Sequence, residues 1–154
     1  MPSKEISAGL LAYRRLDQIE VLLAHPGGPY WARKDDGAWT IPKGQVRPDD
    51  LLIGARREFR EETGLAAEGP FTALAPVRQK SGKTVHAFAF EADFDLSNFS
   101  SNTFEMEWPP RSGAVKEFPE IDRVGWFGMD AAMTKIIAYQ RPFLSELQKL
   151  LAKA

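Results

Sequence analysis

Short apolar runs separated by polar turns recur along the chain, and this pattern predicts an α+β fold. Two runs near the start flank the polar segment 14–18, which predicts two strands joined by a turn. Later clusters of aromatic and β-branched residues between turn signals predict further strands. The predicted strands cover residues 8–13, 20–24, 71–74, 84–90, 104–108 and 124–127, with a brief extended piece at 39–41.

The strongest helix signal covers residues 51–63, with Asp50 as a candidate N-cap and Gly64 where a left-handed C-terminal cap belongs. At about 100° per residue, the apolar and acidic side chains of this helix separate onto adjoining faces. The apolar stripe contains Leu52, Ala55 and Phe59, and the acidic arc contains Glu58, Glu61 and Glu62.

Two more helices are predicted near the end of the sequence. Asp130 is placed to cap a helix over residues 131–138, and Pro142 suits the first turn of the next helix. Apolar residues at helical spacing follow Pro142, namely Phe143, Leu144, Leu147, Leu150 and Leu151.

Composition excludes several classes of protein. The 154 residues carry 20 basic and 21 acidic side chains, 44% are hydrophobic, and no apolar run approaches the length of a membrane span or a signal-peptide core. A cytoplasmic protein without membrane contact is therefore expected. The net charge of −1 makes a dedicated nucleic-acid binder unlikely. With no cysteine and only His25 and His86, any bound metal must be held by oxygen atoms.

The acidic arc of the central helix needs positive charge nearby. Carboxylates three and four residues apart on a helix have Cβ atoms about 5–6 Å apart and repel one another. A hard divalent cation such as Mg²⁺ prefers oxygen ligands and usually shares its shell with water and substrate phosphates. The arc therefore predicts a Mg²⁺ site and a phosphate substrate. The alternative is an ordinary solvated helix face of mixed charge.

The residues around this helix resemble the Nudix hydrolase family, whose box reads G-x5-E-x7-R-E-U-x-E-E-x-G-U, where U is apolar. The chain matches with Gly44 and with the run Arg57-Glu58-Phe59-Arg60-Glu61-Glu62-Thr63-Gly64-Leu65, so the box covers residues 44–65. It departs by having Asp50 at the first acidic position and six residues, instead of seven, between Asp50 and Arg57. The resemblance covers the whole chain in outline. It implies one domain over residues 1–154, folded as an α/β/α sandwich with a mixed central sheet.

The resemblance also implies an activity, the hydrolysis of a nucleoside diphosphate linked to another moiety with Mg²⁺ or Mn²⁺. It assigns Glu58 and Glu62 as direct metal ligands and Glu61 as a ligand, directly or through water. The carbonyl of Lys43 or Gly44 is a further candidate ligand. Glu58 is also the candidate base, and Arg57 orients the carboxylates and buttresses Asp50. The lead-in Pro42-Lys43-Gly44 is closer to the dinucleoside polyphosphate hydrolase branch than to MutT-like enzymes.

Further candidates for the site lie outside the acidic arc. Lys43 is expected to contact a phosphate, and Tyr30, Trp31 and Trp39 could stack on a base, with a core role as the alternative for Trp39. An additional acidic ligand could come from Glu105, Glu107, Glu117 or Glu120.

Other functions and assemblies stay open at this point. A catalytically weak nucleotide-sensing or binding module is the alternative function, because the box is shortened. RNA 5′-end processing would need a local basic cluster that the net charge does not suggest. The substrate is expected to be a small nucleotide derivative, with a dinucleoside polyphosphate or a nucleoside triphosphate as candidates, and the protein a monomer or a homodimer.

Overall fold

A long central strand, β1, organises the sheet of this protein, as seen in a computed structural model that describes residues 5–153. The ends of the predicted domain, residues 1–4 and 154, lie outside the described residues. In chain order the strands are β1 (Ile6–Arg15), β2 (Ile19–Pro26), β3 (Lys43–Gln45), β4 (Thr72–Ala73), β5 (Val77–Arg78), β6 (Thr84–Glu91), β7 (Thr103–Glu107), β8 (Val115–Pro119) and β9 (Ile121–Gly128). The helices are α1 (Leu51–Thr63), α2 (Met129–Lys135) and α3 (Arg141–Ala152), with 3₁₀ turns at Leu96–Asn98 and Ala138–Gln140.

The main sheet is mixed, and β1 has three partners in it. Across residues 5–153 this sheet has seven strands along the path β4-β6-β1-β2-β9, with β3 added to β1 and β5 added to β6. The strand β1 runs parallel to β6, and antiparallel to both β2 and β3. Because β2 pairs with β1 near Arg15 and β3 pairs with it near Ser7, the sheet opens between β2 and β3.

Both faces of the sheet are covered, which confirms the predicted α/β/α sandwich. Neighbouring residues of β1 point to opposite faces, since side chains alternate along a strand. Leu11 belongs to a buried cluster with Phe143 and Leu147 of α3, whereas Leu10 belongs to a cluster with Phe59 of α1. The carboxylate-bearing helix thus lies alone on one face.

The helix α1 begins and ends where the sequence predicts. Gly64 is its C-cap with φ 74°, a left-handed conformation that glycine adopts without steric cost, and its N–H donates to the carbonyl of Arg60. Asp50 is the N-cap residue as predicted, although its side chain makes no capping hydrogen bond. Its Oδ1 is buried without a hydrogen-bond partner.

Other local predictions need correction. The strands β3, β5 and β8 were not predicted, and β8 pairs with β7 as a separate two-stranded ribbon. The helix α2 begins after Gly128, so Asp130 lies in its first turn instead of capping it, and the helix stops at Lys135. The last helix has Pro142 in its first turn as predicted. Within the part of the chain described, no helix is both long and apolar enough to cross a membrane.

Candidate active site

The acidic face of α1 borders the sheet where β3 joins β1. Ala55 and Phe59 of the same helix are fully buried and fix its orientation. The side chain of Glu58 is only 17% exposed, and Glu62 is also half-buried, while Glu61 is exposed. The structure therefore brings Glu58 and Glu62 to the sheet and leaves Glu61 at the edge.

Gly44 lies directly under the carboxylate of Glu58. The backbone of β3 pairs Gly44 with Ala8, so its position is fixed by the sheet. A Cβ built on Gly44 would stand 2.1 Å from Oε2 of Glu58 and 2.2 Å from its Cδ. Glu58 therefore fits against this strand only because residue 44 has no side chain.

The electrostatic environment of Glu58 and Glu62 disfavours their charged forms. Burial, followed by the charge of Glu58, raises the pKa of Glu62 to about 8, although Lys43 opposes this through its charge and its backbone N–H. Burial and the charge of Glu61 also raise the pKa of Glu58. Lys43 and Arg57 therefore compensate the burial and mutual repulsion of these carboxylates only in part.

Glu120 is the further acidic residue whose charge reaches both carboxylates. Its charge raises the pKa of Glu58 and of Glu62. The backbone holds it there, because the N–H of Glu120 donates to the carbonyl of Asn102 and its carbonyl accepts from the N–H of Gly27, each at 2.9 Å. The N–H of Asn102 in turn donates to the carbonyl of Glu61, which ties this segment to α1.

A groove of about 280 Å³ runs beside these residues. Lys43 and Glu62 lie on its wall together with Trp31 and Glu120. The groove therefore combines a cation, carboxylates and an aromatic ring, although Glu58 and Glu61 are not among its lining residues. The other lining residues are Pro26, Thr40, Gln79, Ile121, Ile137 and Tyr139.

The three aromatic candidates occupy different environments. Trp31 lines the groove, and Tyr30 is 57% exposed beside Trp108, with ring centroids 5.3 Å apart. Trp39 is 5% exposed and its indole N–H donates to Asp35, so it belongs to the core and offers no face to a base. The core alternative for Trp39 is therefore the correct one.

Arg57 contacts the predicted carboxylates only weakly. Its Nη2 lies 3.8 Å from Oε1 of Glu58, and its charge opposes the raised pKa of Glu58. Among residues 5–153 its one ion pair is with Glu58, so the predicted contact with Asp50 is not formed.

The other acidic candidates lie on the β7–β8 ribbon. Glu105 faces Glu117 across the ribbon, and Glu107 accepts hydrogen bonds from the backbone of Arg111 and Gly113 in its turn. None of them lines the groove. Glu120 was weighed equally with Glu117 from the sequence, where nothing distinguishes them.

His25, which no sequence pattern singles out, connects two sides of the groove. It is fully buried, its Nδ1 lies 2.8 Å from Oδ1 of Asp122, and its Nε2 lies 2.6 Å from the carbonyl oxygen of Lys34. It thereby joins the strand after Glu120 to the loop that carries Trp31.

The donor chemistry of the site fits a hard divalent cation. Glu58, Glu62 and Glu120 offer carboxylate oxygens, which are the ligands that Mg²⁺ prefers, and the charges of Glu58 and Glu62 are only partly compensated by Arg57 and Lys43. Within residues 5–153, however, no three acidic or histidine side chains meet closely enough to form a ready-made metal site. The described side chains therefore supply the donor type that such a cation prefers without forming a closed ligand set.

Solved structures of the same fold resemble this chain over nearly its whole length. An Ap4A hydrolase of C. elegans, solved as a binary complex, is 23% identical with a TM-score of 0.64, and the match covers 96% of this chain and 99% of that one. The NUDIX domain of Shewanella oneidensis NrtR, solved with ADP ribose, is 14% identical with a TM-score of 0.66, over 98% and 90% of the two chains. A MutT protein of Methanosarcina mazei Go1 is 23% identical with a TM-score of 0.60, over 96% and 95%.

Sequence comparisons complete the assignment. A search of curated proteins finds no match. The family model for the NUDIX domain matches residues 4–147, which includes the box, the groove and the helices on both faces of the sheet. The chain therefore belongs to the Nudix hydrolase family, whose members act on phosphorus-containing acid anhydrides.

Proposed function

We propose that this Nudix hydrolase is a Mg²⁺-dependent pyrophosphohydrolase that cleaves a nucleoside diphosphate linked to another moiety. The observation that carries the proposal is the deficit of positive charge at Glu58 and Glu62, beside a groove that also presents Lys43 and Trp31. A divalent cation and a diphosphate together would balance these charges. An aromatic ring next to them suits a nucleobase.

The metal would be held by oxygen donors of the box. Glu58 and Glu62 are the proposed direct ligands, with Glu61 or Glu120 and the carbonyl of Lys43 or Gly44 as further donors. Mg²⁺, or Mn²⁺ in its place, would neutralise the diphosphate and lower the pKa of a bound water. Asp50 keeps a structural role at the start of α1.

The chain's own residues would position the substrate and move the proton. The ammonium group of Lys43 would contact a phosphate oxygen, and Trp31 would stack on the base, with Tyr30 at the outer edge of the groove. A carboxylate oxygen of Glu58 would accept the proton of the attacking water. Arg57 would restrain that carboxylate from the solvent side.

A substrate panel tests the proposal directly. The protein is incubated with Mg²⁺ and dinucleoside polyphosphates, ADP-ribose, nucleoside triphosphates and nucleotide sugars. Dinucleoside polyphosphates and ADP-ribose come first, because an Ap4A hydrolase and an ADP ribose complex share the fold. We expect turnover of at least one compound that EDTA abolishes and Glu62→Gln strongly reduces.

Product analysis in ¹⁸O-labelled water then locates the attacked phosphorus. Absence of turnover across the panel, or turnover unaffected by Glu62→Gln, would refute the proposal.

The second candidate is a nucleotide-binding module without strong catalysis. It is favoured by the shortened segment between Asp50 and Arg57. It predicts saturable binding of ADP-ribose, measured by calorimetry with Mg²⁺ present, without any turnover.

We further propose that residues 1–154 act as one domain in the cytoplasm, as a monomer or a homodimer. Light scattering of the purified protein measures the assembly, and a larger oligomer would contradict this part of the proposal.

A further inference from the structure

The hydroxyl group of Tyr139 lies at the groove, although Tyr139 is far from the box in the sequence. Tyr139 is half-buried in the 3₁₀ turn Ala138–Gln140 that precedes α3. It lines the same groove as Trp31, Lys43 and Glu62. Neither the box nor the sequence patterns singled it out.

Gln140 fixes one hydrogen bond to this hydroxyl. Gln140 is fully buried, and its Oε1 accepts a hydrogen bond from the backbone N–H of Ile41 at 3.0 Å. Since the carbonyl end of the amide is committed to Ile41, the amide group presents its Nε2 to Tyr139. That Nε2 donates to Oη of Tyr139 at 3.0 Å.

Gln79 supplies a second donor to the same oxygen. It follows β5 in the turn that leads into β6, where its backbone N–H donates to the carbonyl of Lys83. Its Nε2 donates to Oη of Tyr139, and its Oε1 accepts from the hydroxyl of Ser81. Gln79 also lines the groove, so the two amides hold Oη at the groove wall.

Two donors fill the acceptor capacity of the phenol oxygen and leave its proton to be donated elsewhere. A tyrosine hydroxyl has one O–H and two lone pairs. Both lone pairs of Tyr139 face amide N–H groups, and no hydrogen bond formed within residues 5–153 uses Tyr139 as donor. Accepting two hydrogen bonds also polarises the O–H and strengthens it as a donor.

We propose that Tyr139 donates its proton to an acceptor atom of the substrate and is a specificity-determining residue of this hydrolase. The inference rests on the proposed function, since the groove beside Glu62 is the proposed substrate site. The acceptor is a phosphate oxygen or an acceptor atom on the base edge. A hydroxyl with both lone pairs occupied discriminates against a donor group at that position, which would be left unpaired.

Tyr139→Phe tests the proposal, with Tyr13→Phe on β1 as the matched control outside the groove. We expect Tyr139→Phe to lower kcat/KM by about 10- to 100-fold if the acceptor is a phosphate oxygen, and by about 3- to 10-fold if it is a base atom. A phosphate acceptor predicts the same loss for every base in a substrate series. A base acceptor predicts a loss confined to bases that carry the acceptor.

The stability of the variants separates this role from a structural one. We expect Tyr139→Phe to stay folded at the assay temperature with a Tm lowered by only a few degrees, because the buried Nε2 of Gln140 loses its acceptor while the bond between Gln140 and Ile41 is untouched. Gln79→Leu should cause a smaller loss of kcat/KM than Tyr139→Phe, since Gln140 still orients the hydroxyl. If kcat/KM of Tyr139→Phe equals that of the wild type for every substrate, the proposal is overturned.

Binding measurements separate this inference from the proposed hydrolysis. If the wild type turns over no substrate, binding of ADP-ribose is measured by calorimetry with Mg²⁺ present. Weaker binding by Tyr139→Phe than by the wild type then supports the inference, although the proposed hydrolysis is refuted. Equal binding by both proteins overturns the inference. If the wild type shows no binding and no turnover, the inference and the proposed function are both overturned.

Discussion

Two pairs of glutamates bring like charges together in this protein, but one pair is half-buried and the other is exposed to water. The helix pair, Glu58 and Glu62, lies one turn apart on α1 and is half-buried beside β3. The ribbon pair, Glu105 and Glu117, lies directly opposite across β7 and β8, and both side chains are exposed. Residues opposite each other in a ribbon are at least as close as those one helical turn apart.

The difference shows that burial, more than proximity, determines how strongly the charged forms of a carboxylate pair are disfavoured. Water screens the ribbon pair, so its repulsion costs little. The helix pair is removed from water, and its charged forms are disfavoured to the point that the pKa of Glu62 rises to about 8. Only the helix pair therefore gains substantially from a cation.

The largest effect is expected from Glu62→Gln in the helix pair. The amide keeps the shape of the side chain but cannot supply anionic charge, so kcat should fall by about 10²- to 10³-fold, the usual effect of losing one electrostatic group in an active site. Steady-state kinetics with the best substrate of the panel measures the loss. Glu117→Gln in the ribbon pair is the control and should keep wild-type activity. Equal activities of these two variants would contradict the distinction between the pairs.

Gly44→Ala should disturb the helix pair without changing any charge. The new Cβ would collide with the carboxylate of Glu58, whose Oε2 lies 2.1 Å from that position. Displacing Glu58 by about 1 Å should lower kcat by roughly 10- to 100-fold. Folding stability measured by urea unfolding should fall by less than about 1 kcal/mol, because the atoms next to the added Cβ belong to the flexible end of the Glu58 side chain.

Gly113→Ala in the ribbon turn provides the comparison for Gly44→Ala. Gly113 has φ 76° but no atom within 4 Å of an added Cβ. The strained backbone should lower stability by about 1 kcal/mol while activity stays intact. If Gly113→Ala lost as much activity as Gly44→Ala, the contact with Glu58 would not be the cause.

The pH dependence of stability should distinguish the pairs without any substrate. The pKa of Glu62 is raised from 4.5 to about 8 in the folded protein, so between these values the folded state keeps a proton that the unfolded state loses. The contribution of Glu62 to folding stability is therefore lost as the pH rises from about 4.5 to 8, and the loss is complete above pH 8. In EDTA, the Tm of the wild type relative to Glu62→Gln should fall by about 5 °C between pH 5 and pH 9.

Mg²⁺ provides the internal control for that pH series. Adding it should raise the Tm of the wild type at pH 9 more than that of Glu62→Gln, because only the wild type has the full carboxylate set. Parallel Tm curves for the two proteins across the pH range would refute the role of Glu62.

The smallest effect is expected from Glu105→Gln in the ribbon pair. Removing one of two exposed like charges should change Tm by less than about 2 °C, in the stabilising direction at low salt. Activity should stay within about twofold of the wild type. A loss above tenfold would show that the ribbon takes part in the reaction.

The helix pair could be predicted from the sequence because its geometry is local. The rotation of about 100° per residue in a helix places Glu58 and Glu62 beside the stripe that contains Ala55 and Phe59. Gly64 marks where the helix ends. The structure confirms those bounds and the burial of Ala55 and Phe59, while Leu52, the third predicted member of the stripe, is partly buried. Local periodicity was also sufficient for β1, β2 and β6.

The rest of the site depends on contacts that no local pattern encodes. The strand β3 consists of Lys43, Gly44 and Gln45, without an apolar side chain, and is a strand only because β1 pairs with it. Trp39 resembles a surface aromatic in its Gly- and Pro-rich context, yet Phe127 and His25 enclose it in the core. Glu120 is far from the box in the sequence, and the order of the strands in the sheet brings it to the groove.

The backbone bond between Gly27 and Glu120 also has a consequence for how the chain is made. The segment 43–62 supplies Lys43 and Glu62 to the groove, but Glu120 reaches it only when β9 has been synthesised and has paired with β2. Because pairings this distant in sequence close late, the site should be among the last parts of the molecule to form. A ribosome-bound chain ending before β9 would carry the whole box and still be unable to close its groove.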